Sequence, residues 1–200
     1  MDIAARLEAQ SIGAPTGKQD YYAALHGGLN AIWFGLDREE VEPLLPQRRL
    51  AGLEEHLVLA HTGEPHASGP TNWSMVRAYL DGVPETVRAF REIRRISYEM
   101  RAALRSGDLK TFARLLREEW EQRRELAEGV ATREIDRAIA IARKAGALAS
   151  KVCGAGGGGC VVIVVPSGRK GTIERALARE GFQVLPFRIA RQGLRLRVRT

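Results

Sequence analysis

A glycine-rich segment near the C-terminus has the residues best suited to hold an anion. Residues 154–159 comprise five glycines and Ala155, between a helical pattern and an apolar run at residues 161–165. Glycine tolerates positive φ angles and lets the backbone approach another group closely. Consecutive N–H groups arranged in this way form a concave nest for an anionic oxygen, most often that of a phosphate. One or two glycines can instead end a helix, but four in succession exceed that need. The segment therefore predicts an anion-binding or close-approach loop.

A carboxylate and a lysine precede a pair of glycines in the N-terminal part of the chain. Asp20 falls in the first turn of a short predicted helix, beside Lys18 and before Gly27 and Gly28. A carboxylate in this position can orient or deprotonate a hydroxyl. An acid in the first turn of a helix also simply complements the helix dipole, and surface lysines are common. The residues alone favour the structural interpretation of Asp20 and leave Lys18 ambiguous.

A third segment, residues 61–73, combines histidines with capping residues. It reads HTGEPHASGPTNW and leads into a predicted helix. Side chains such as that of Ser68 cap the N–H groups at a helix start. The same hydroxyls and N–H groups suit a phosphate, with His61 and His66 as further donors. Capping and phosphate binding stay open as alternatives here.

The composition restricts the class of protein and its partners. The 200 residues suffice for one large domain or two small ones, and the formal charge of +7 favours anionic partners. Nucleic-acid binding is not predicted, because the sequence has no basic strand with interleaved aromatic residues. Neither a signal peptide nor a membrane span is expected. Cys153 and Cys160 are too few for a disulfide scaffold and lack zinc spacing, so a reduced, cytoplasmic setting is predicted.

The elements that must position these residues form an α+β pattern. Apolar runs predict strands at residues 29–35, 57–60 and 161–165, and 3.6-residue periodicity predicts long helices between them. The predicted long helices span residues 83–105, 109–128 and 132–150. A helix from residue 172, a strand at 182–189 and a half-buried arginine strand at 194–199 end the chain.

Three segments, taken in order, resemble the superfamily of galactokinase, homoserine kinase, mevalonate kinase and phosphomevalonate kinase, the GHMP kinases. Residues 17–28, GKQDYYAALHGG, look like the segment with that family's catalytic aspartate. Residues 151–164, KVCGAGGGGCVVIV, look like its C-terminal glycine loop. Residues 117–136 are similar to helices of the sugar-phosphate branch, the heptose-7-phosphate kinases. The resemblance covers nearly all of the chain.

The resemblance implies ATP-dependent phosphoryl transfer, with Mg²⁺, to a hydroxyl of a small sugar or sugar phosphate in carbohydrate metabolism. Asp20 takes the role of base or orienting group, and Lys18 is the second catalytic candidate. The nucleotide phosphates are expected against the glycine loop, made of Gly154, Ala155, Gly156, Gly157, Gly158 and Gly159. The expected substrate-binding residues are Gly17, Gln19, Thr62, Gly63, His66 and Ser68. No metal-ligating side chain is predicted.

The resemblance also implies two domains. Residues 1–70 are expected to be the end of an N-terminal, ribosomal S5-like α/β domain, and residues 71–200 a ferredoxin-like C-terminal domain with long helices. The family's principal ATP loop, Pro-x-x-x-Gly-Leu-Gly-Ser-Ser, has no counterpart in this sequence. We therefore expect that an N-terminal segment, in the same gene or in a separate subunit, completes the kinase, or that the chain forms a homo-oligomer. The alternative is a non-catalytic remnant that binds a sugar phosphate or a partner protein.

Overall fold

The computed structural model describes residues 2–13, 16–35, 37–65 and 68–196, and all statements on structure refer to these ranges. The helices and strands alternate unevenly along the chain, with the short strands at its two ends and the long helices in the middle. The helices are α1 (Asp2–Ile12), α2 (Gln19–His26), α3 (Gln47–Glu54), α4 (Ser68–Leu80), α5 (Pro84–Ser106), α6 (Leu109–Arg124), α7 (Arg133–Lys144) and α8 (Lys170–Arg179). The strands are β1 (Asn30–Phe34), β2 (Glu39–Pro43), β3 (Leu57–His61), β4 (Ala149–Val152), β5 (Cys160–Val164) and β6 (Gln183–Val184).

A four-stranded antiparallel sheet organises the second half of the chain. Its strand order is β4-β5-β3-β6, and β3 pairs with both β5 and β6. Along the chain, β3 is followed by the helices α4 to α7, the β4–β5 hairpin, α8 and β6. This β-α-β-β-α-β succession with its crossed strand order is the ferredoxin-like arrangement. The predicted α+β class and the ferredoxin-like domain with long helices are confirmed.

Both faces of this sheet are covered by helices. On one face, Val58 and Ile163 join a core with α7 and α8, including Ile135 and Leu177, each at most 1% exposed. On the other face, α6 packs near the free edge of β4, where Leu116 contacts the apolar group of Ala149 and Val164. Alternate residues of each strand therefore face different helices, as the two-residue period of a strand requires.

The ends of the long helices are set by local hydrogen bonds. The Asp108 carboxylate accepts from the N–H of Thr111 at 3.0 Å, and the Thr132 hydroxyl accepts from the N–H of Ile135 at 3.3 Å. Both are N-caps of the ordinary kind. The predicted extension of α7 to residue 150 is wrong, because the chain turns at Gly146, with φ +98°, and Ala149 begins β4. Among the described residues, no helix has the length and apolarity needed to cross a membrane.

The C-terminal segment differs from the prediction. The expected strand at residues 182–189 is reduced to β6, and residues 194–196 of the expected arginine strand form no strand. The segment instead crosses the end of α2, where the N–H of Gly28 donates to the carbonyl of Ala190 at 2.6 Å and that of Leu194 to Ala24 at 3.1 Å. These bonds replace the pairing that a further strand would have made. The remainder of the predicted arginine strand, residues 197–199, lies outside the described residues.

The N-terminal elements pack beside this sheet. Strands β1 and β2 form a separate hairpin, and Trp33 of β1 packs on Tyr98 of α5 with ring centroids 5.0 Å apart. The predicted domain boundary near residue 70 stays a prediction. Strand β3, which we expected on its N-terminal side, pairs with β5 and β6 and so shares the sheet of the C-terminal part.

Candidate active site

The glycine loop joins β4 to β5 and projects from the end of the sheet. At its base the N–H of Cys153 donates to the carbonyl of Cys160 at 2.8 Å, which extends the hairpin by one pair. All five glycines of the loop have positive φ, between +71° and +122°. Residues other than glycine rarely adopt these left-handed backbone conformations. The glycines are therefore required by the backbone path of this turn.

Two other segments lie directly against the glycine loop. A Cβ atom at Gly156 would lie 2.5 Å from the carbonyl oxygen of Val130, in the connection between α6 and α7. A Cβ atom at Gly158 would lie 2.6 Å from the carbonyl oxygen of Pro65, in the segment after β3. The Thr132 hydroxyl joins these two neighbours by donating to the Glu64 carboxylate. Three segments distant in sequence thus meet here, and the predicted close approach of the loop is to other parts of the chain.

The N–H groups of the loop divide into two sets. Those of Gly157 and Gly159 donate to the carbonyls of Val130 and Glu64, at 3.0 and 3.1 Å. The other set donates to no carbonyl of the described residues; it consists of the N–H groups of Gly154, Ala155, Gly156 and Gly158. Gly156 and Gly158 are moreover buried. A buried N–H group without a partner costs free energy, so this second set suits a bound anion.

The predicted substrate-binding residues after β3 have different surroundings. Thr62 is buried, and both its N–H and its hydroxyl donate to the carbonyl of Gly159 at 2.9 Å. Thr62 therefore fastens the glycine loop to β3. Gly63 is exposed, and its N–H donates to Nδ1 of His61 at 3.0 Å. His66 lies outside the described residues, and Ser68 is the first residue of α4.

Asp20 lies near the glycine loop. It is exposed, in the first turn of α2. Burial, with smaller contributions from the negative charges of Cys160 and Asp20, raises the pKa of the Cys153 thiol to about 11, against the opposing positive charge of Lys151. Asp20 makes the smallest of these contributions, so its carboxylate lies within electrostatic range of the base of the loop.

The position of α2 is fixed from both ends. Near its start, the Lys18 ammonium group donates to a carboxylate oxygen of Glu39 at 2.7 Å, and Tyr22 donates to the other oxygen. At its end, a Cβ atom on Gly193 would lie 1.8 Å from the carbonyl oxygen of Leu25, so only glycine fits there. Lys18 thus pairs with an acid that sequence reasoning missed. The neighbouring predicted substrate residues, Gly17 and Gln19, are exposed.

A buried ion cluster supports the glycine loop from the side of α6. Glu119, whose side chain is 3% exposed, accepts from Lys151 Nζ at 2.5 Å and from Arg123 Nε at 2.6 Å. Burial raises the pKa of Glu119, but the two cations outweigh burial and hold the pKa below its usual value. Burial lowers the pKa of Lys151, and Glu119 only partly offsets this. Lys151 lies two residues before Cys153, so the cluster ties the base of the loop to α6.

Trp120 lies beside this cluster. Its helical spacing from Leu116 places it on the apolar face of α6, and it is 2% exposed. The guanidinium of Arg124 stacks over its ring, 5.7 Å from the centroid, and also pairs with Asp136 at 3.0 Å. The indole N–H has no hydrogen-bond partner among the described residues. A buried donor without a partner is rare, so this N–H is available to a ligand or to water.

The close approach at Gly156 yields a prediction with a matched control. Gly156 and Gly146 have similar φ angles, +94° and +98°, but a Cβ atom at Gly146 would meet nothing within 4 Å. We expect Gly146→Ala to cost about 1–2 kcal/mol from positive φ alone. Gly156→Ala should cost a further ~1–3 kcal/mol, because its methyl group displaces the loop from Val130. Urea unfolding of both variants measures the difference, and equal losses would contradict the close packing of the loop.

The residues present fit an ATP phosphate better than they fit a metal ion. The second set of loop N–H groups supplies donors for phosphate oxygens. Among residues 2–13, 16–35, 37–65 and 68–196, no group of three or more His, Cys, Asp or Glu side chains is placed to hold a metal. Mg²⁺ at nucleotide sites is commonly held by one or two carboxylates together with phosphates and water. A protein cage is therefore not needed for this ion.

Comparison with known proteins identifies this fold. Residues 100–183 match the family of GHMP kinases, C-terminal domain. This part of the chain is similar to the C-terminal domain of GHMP kinases, and the resemblance predicted from the sequence is confirmed. The match includes α6, α7, the glycine loop and α8.

Individual relatives make the likeness more specific. The chain is 28% identical to the D-glycero-alpha-D-manno-heptose 7-phosphate kinase of Campylobacter jejuni, over 96% of this chain and 57% of that protein. It is similar to the crystal structure of a D-glycero-D-manno-heptose 1-phosphate kinase from Bacteroides thetaiotaomicron, with a TM-score of 0.67, 30% identity, and 96% and 52% coverage of the two chains. It is also similar to L. major mevalonate kinase in complex with R-mevalonate, with a TM-score of 0.70, 25% identity, and 80% and 48% coverage. The chain thus spans about half the length of these relatives.

Proposed function

We propose that this chain is the C-terminal part of an ATP-dependent kinase that phosphorylates a hydroxyl of a small sugar phosphate. One observation carries the proposal: the N–H groups of Gly154, Ala155, Gly156 and Gly158 donate to no carbonyl of the described residues and so suit phosphate oxygens. Asp20, the proposed base for the hydroxyl, lies in the first turn of α2, and its charge contributes to the raised pKa of Cys153 at the base of the loop. The names of the relatives, which are kinases of heptose phosphates and of mevalonate, support the reaction class.

Phosphoryl transfer depends chiefly on positioning and on stabilising negative charge. When bound, ATP and Mg²⁺ supply the phosphoryl group and part of the charge neutralisation. In our proposal the N–H groups of Gly154, Ala155, Gly156 and Gly158 hold phosphate oxygens in fixed positions, which requires no reorganisation during the reaction. Asp20 orients the attacking hydroxyl and accepts its proton. Lys18 assists through its pair with Glu39, which holds the start of α2.

A sugar phosphate fits the charge of the chain better than a neutral sugar. The formal net charge is +7, so the chain favours an anionic substrate beside anionic ATP. We propose that residues 62–68 face this substrate, with Gly63, His66 and Ser68 as its ligands. The free thiols Cys153 and Cys160 suit a reduced, cytoplasmic setting.

Assay of the protein expressed from its complete coding frame tests the proposal. D-glycero-D-manno-heptose 7-phosphate is incubated with ATP and Mg²⁺, with mevalonate as the comparison acceptor, and ADP and phosphorylated sugar are quantified. We expect equal amounts of ADP and product with the heptose phosphate. Calorimetric titration with the same sugar identifies the alternative, a remnant that binds without transfer. If there is neither turnover nor saturable binding with any phosphorylated hexose or heptose, the proposal is wrong.

A further inference from the structure

A cavity at the far end of the sheet lies apart from the candidate active site. It opens between α3 and the turn that joins α5 to α6, with a volume of about 340 Å³. It lies beside His56, immediately before β3, whereas Thr62 and the glycine loop lie beyond the other end of that strand. Five residues of strand at ~3.3 Å each separate the two places by roughly 15 Å. The cavity volume falls in the range of ligand sites, about 300–1,000 Å³.

The walls of this cavity, which we call the α3 cavity, are largely apolar. They include Leu45, Leu53, Ala103, Leu104 and Leu109. Gly52, within α3, is also a lining residue, and a Cβ atom there would meet no other atom within 4 Å. Glycine inside a helix is less favourable than alanine, so the missing side chain weakens α3 and leaves the space unfilled.

The charges at the cavity are mainly positive. Arg48 and Arg49 line it, and neither forms an ion pair with a described acid. The only acid among the described lining residues, Asp108, is engaged as the N-cap of α6, with Thr111 N–H at 3.0 Å. The Arg49 guanidinium lies over Gly107, where a Cβ atom would be 2.7 Å from Nη2. A second glycine thus makes room for this cation at the rim.

His56 adds a polar group with a defined orientation. Its ring nitrogen Nδ1 lies 3.0 Å from the carbonyl oxygen of Val165 and must donate to it, since a carbonyl only accepts. The other ring nitrogen is therefore left for a ligand that enters the cavity. An apolar interior with arginines at its rim is complementary to a molecule with an apolar chain and an anionic head.

We infer that the α3 cavity is a second binding site, for a small amphiphilic anion whose apolar chain enters between α3 and α5 and whose phosphate or carboxylate meets Arg48 and Arg49. The occupant is a soluble small molecule. This site does not depend on the proposed kinase activity.

Calorimetric titration of the full chain with octyl phosphate tests the inference. We expect saturable binding of one molecule per chain, and binding at least about tenfold weaker for inorganic phosphate and for octyl glucoside, which lack the chain or the charge. Octanoate in place of octyl phosphate shows which anionic head is preferred. Absence of saturable octyl phosphate binding, or equal affinity for octyl glucoside, overturns the inference.

Two variants locate the site. Gly52→Leu adds a large side chain at the cavity wall, where a Cβ atom meets no other atom within 4 Å, and leucine favours the helix, so the chain should remain folded while octyl phosphate binding falls at least about tenfold. Ala102→Leu introduces the same leucine side chain at an exposed position of α5 and should leave binding unchanged. Arg48→Gln with Arg49→Gln should weaken octyl phosphate binding about tenfold and octyl glucoside binding little. If Gly52→Leu binds as tightly as the original chain, octyl phosphate binds elsewhere and the assignment is wrong.

Discussion

Replacement of Asp20 by asparagine is expected to lower phosphoryl transfer by about 100- to 10,000-fold and to leave nucleotide affinity nearly unchanged. The amide keeps the size of the side chain but accepts no proton from the attacking hydroxyl, and general-base catalysis is worth about this factor. Asp20 is exposed and in the first turn of α2, so its loss should also cost little stability. Turnover of the heptose phosphate and calorimetric binding of ADP separate the two effects.

The control for this variant is another exposed aspartate of the N-terminal part. Asp37 lies between β1 and β2 and is also exposed, so Asp37→Asn should retain full turnover. The pH profile of the residual activity adds a second criterion, because a variant without its base should lose the acidic limb of the profile. Full turnover by Asp20→Asn would remove Asp20 from the mechanism.

Most of the fold could be predicted because its elements carry strong local signals. The α5–α6 hairpin is one example: Pro84 begins α5, Gly107 ends it with φ +78°, and Asp108 caps α6. The buried run that forms β5 is another, since five apolar or cysteine residues in succession suit a strand covered on both faces. In such segments local preference and tertiary packing agree.

The C-terminal segment could not be predicted, because its conformation depends on a distant partner. The alternation of arginine and apolar residues after Gly193 has the period of a strand. Residues 194–196, the described part of this segment, pair with no strand of the sheet, and the N–H of Leu194 donates to the carbonyl of Ala24 at the end of α2 instead. The contact requires glycine at residue 193 and a turn at Gly28, and nothing in either segment alone indicates that they meet.

The loops of the candidate site could be predicted from the sequence, but the charged side chains that support these loops could not. The glycine run and Asp20 stand out by residue type. Glu119 does not, because it is one of many charged residues of α6 and its residue type does not distinguish it from the others. It is buried because Lys151 reaches it from β4, a pairing between residues far apart in sequence. The ion pair of Lys18 with Glu39 was missed for the same reason.

The buried cluster predicts a large loss of stability when its acid is neutralised. Glu119→Gln leaves the Lys151 ammonium group, 17% exposed, without a counter-charge. Breaking a buried pair by removing one partner costs about 3–5 kcal/mol, and because the glutamine oxygen can still accept one hydrogen bond we expect about 3 kcal/mol. Glu118→Gln is the matched control on the same helix. Its pair with Arg114 is roughly half exposed, so its loss should stay below about 1 kcal/mol.

Two further measurements separate the loss of charge pairing from a simple packing defect. The pKa of Lys151 is already lowered by burial, and removal of Glu119 should lower it further. The unfolded chain then binds more protons than the folded one, so the deficit of Glu119→Gln in urea unfolding should shrink as pH rises toward the ordinary lysine pKa.

Lys151→Met combined with Glu119→Gln should recover more than half of the loss, because no buried charge is left unpaired at β4. A deficit that is independent of pH and unrelieved in the double variant would mean that Glu119 stabilises the glycine loop through packing alone. Hydrogen exchange of the amides at residues 154–159 in the same variants then reports whether the glycine loop opens more often when the ion pair is lost. We expect faster exchange, because the loop directly follows β4, which contains Lys151.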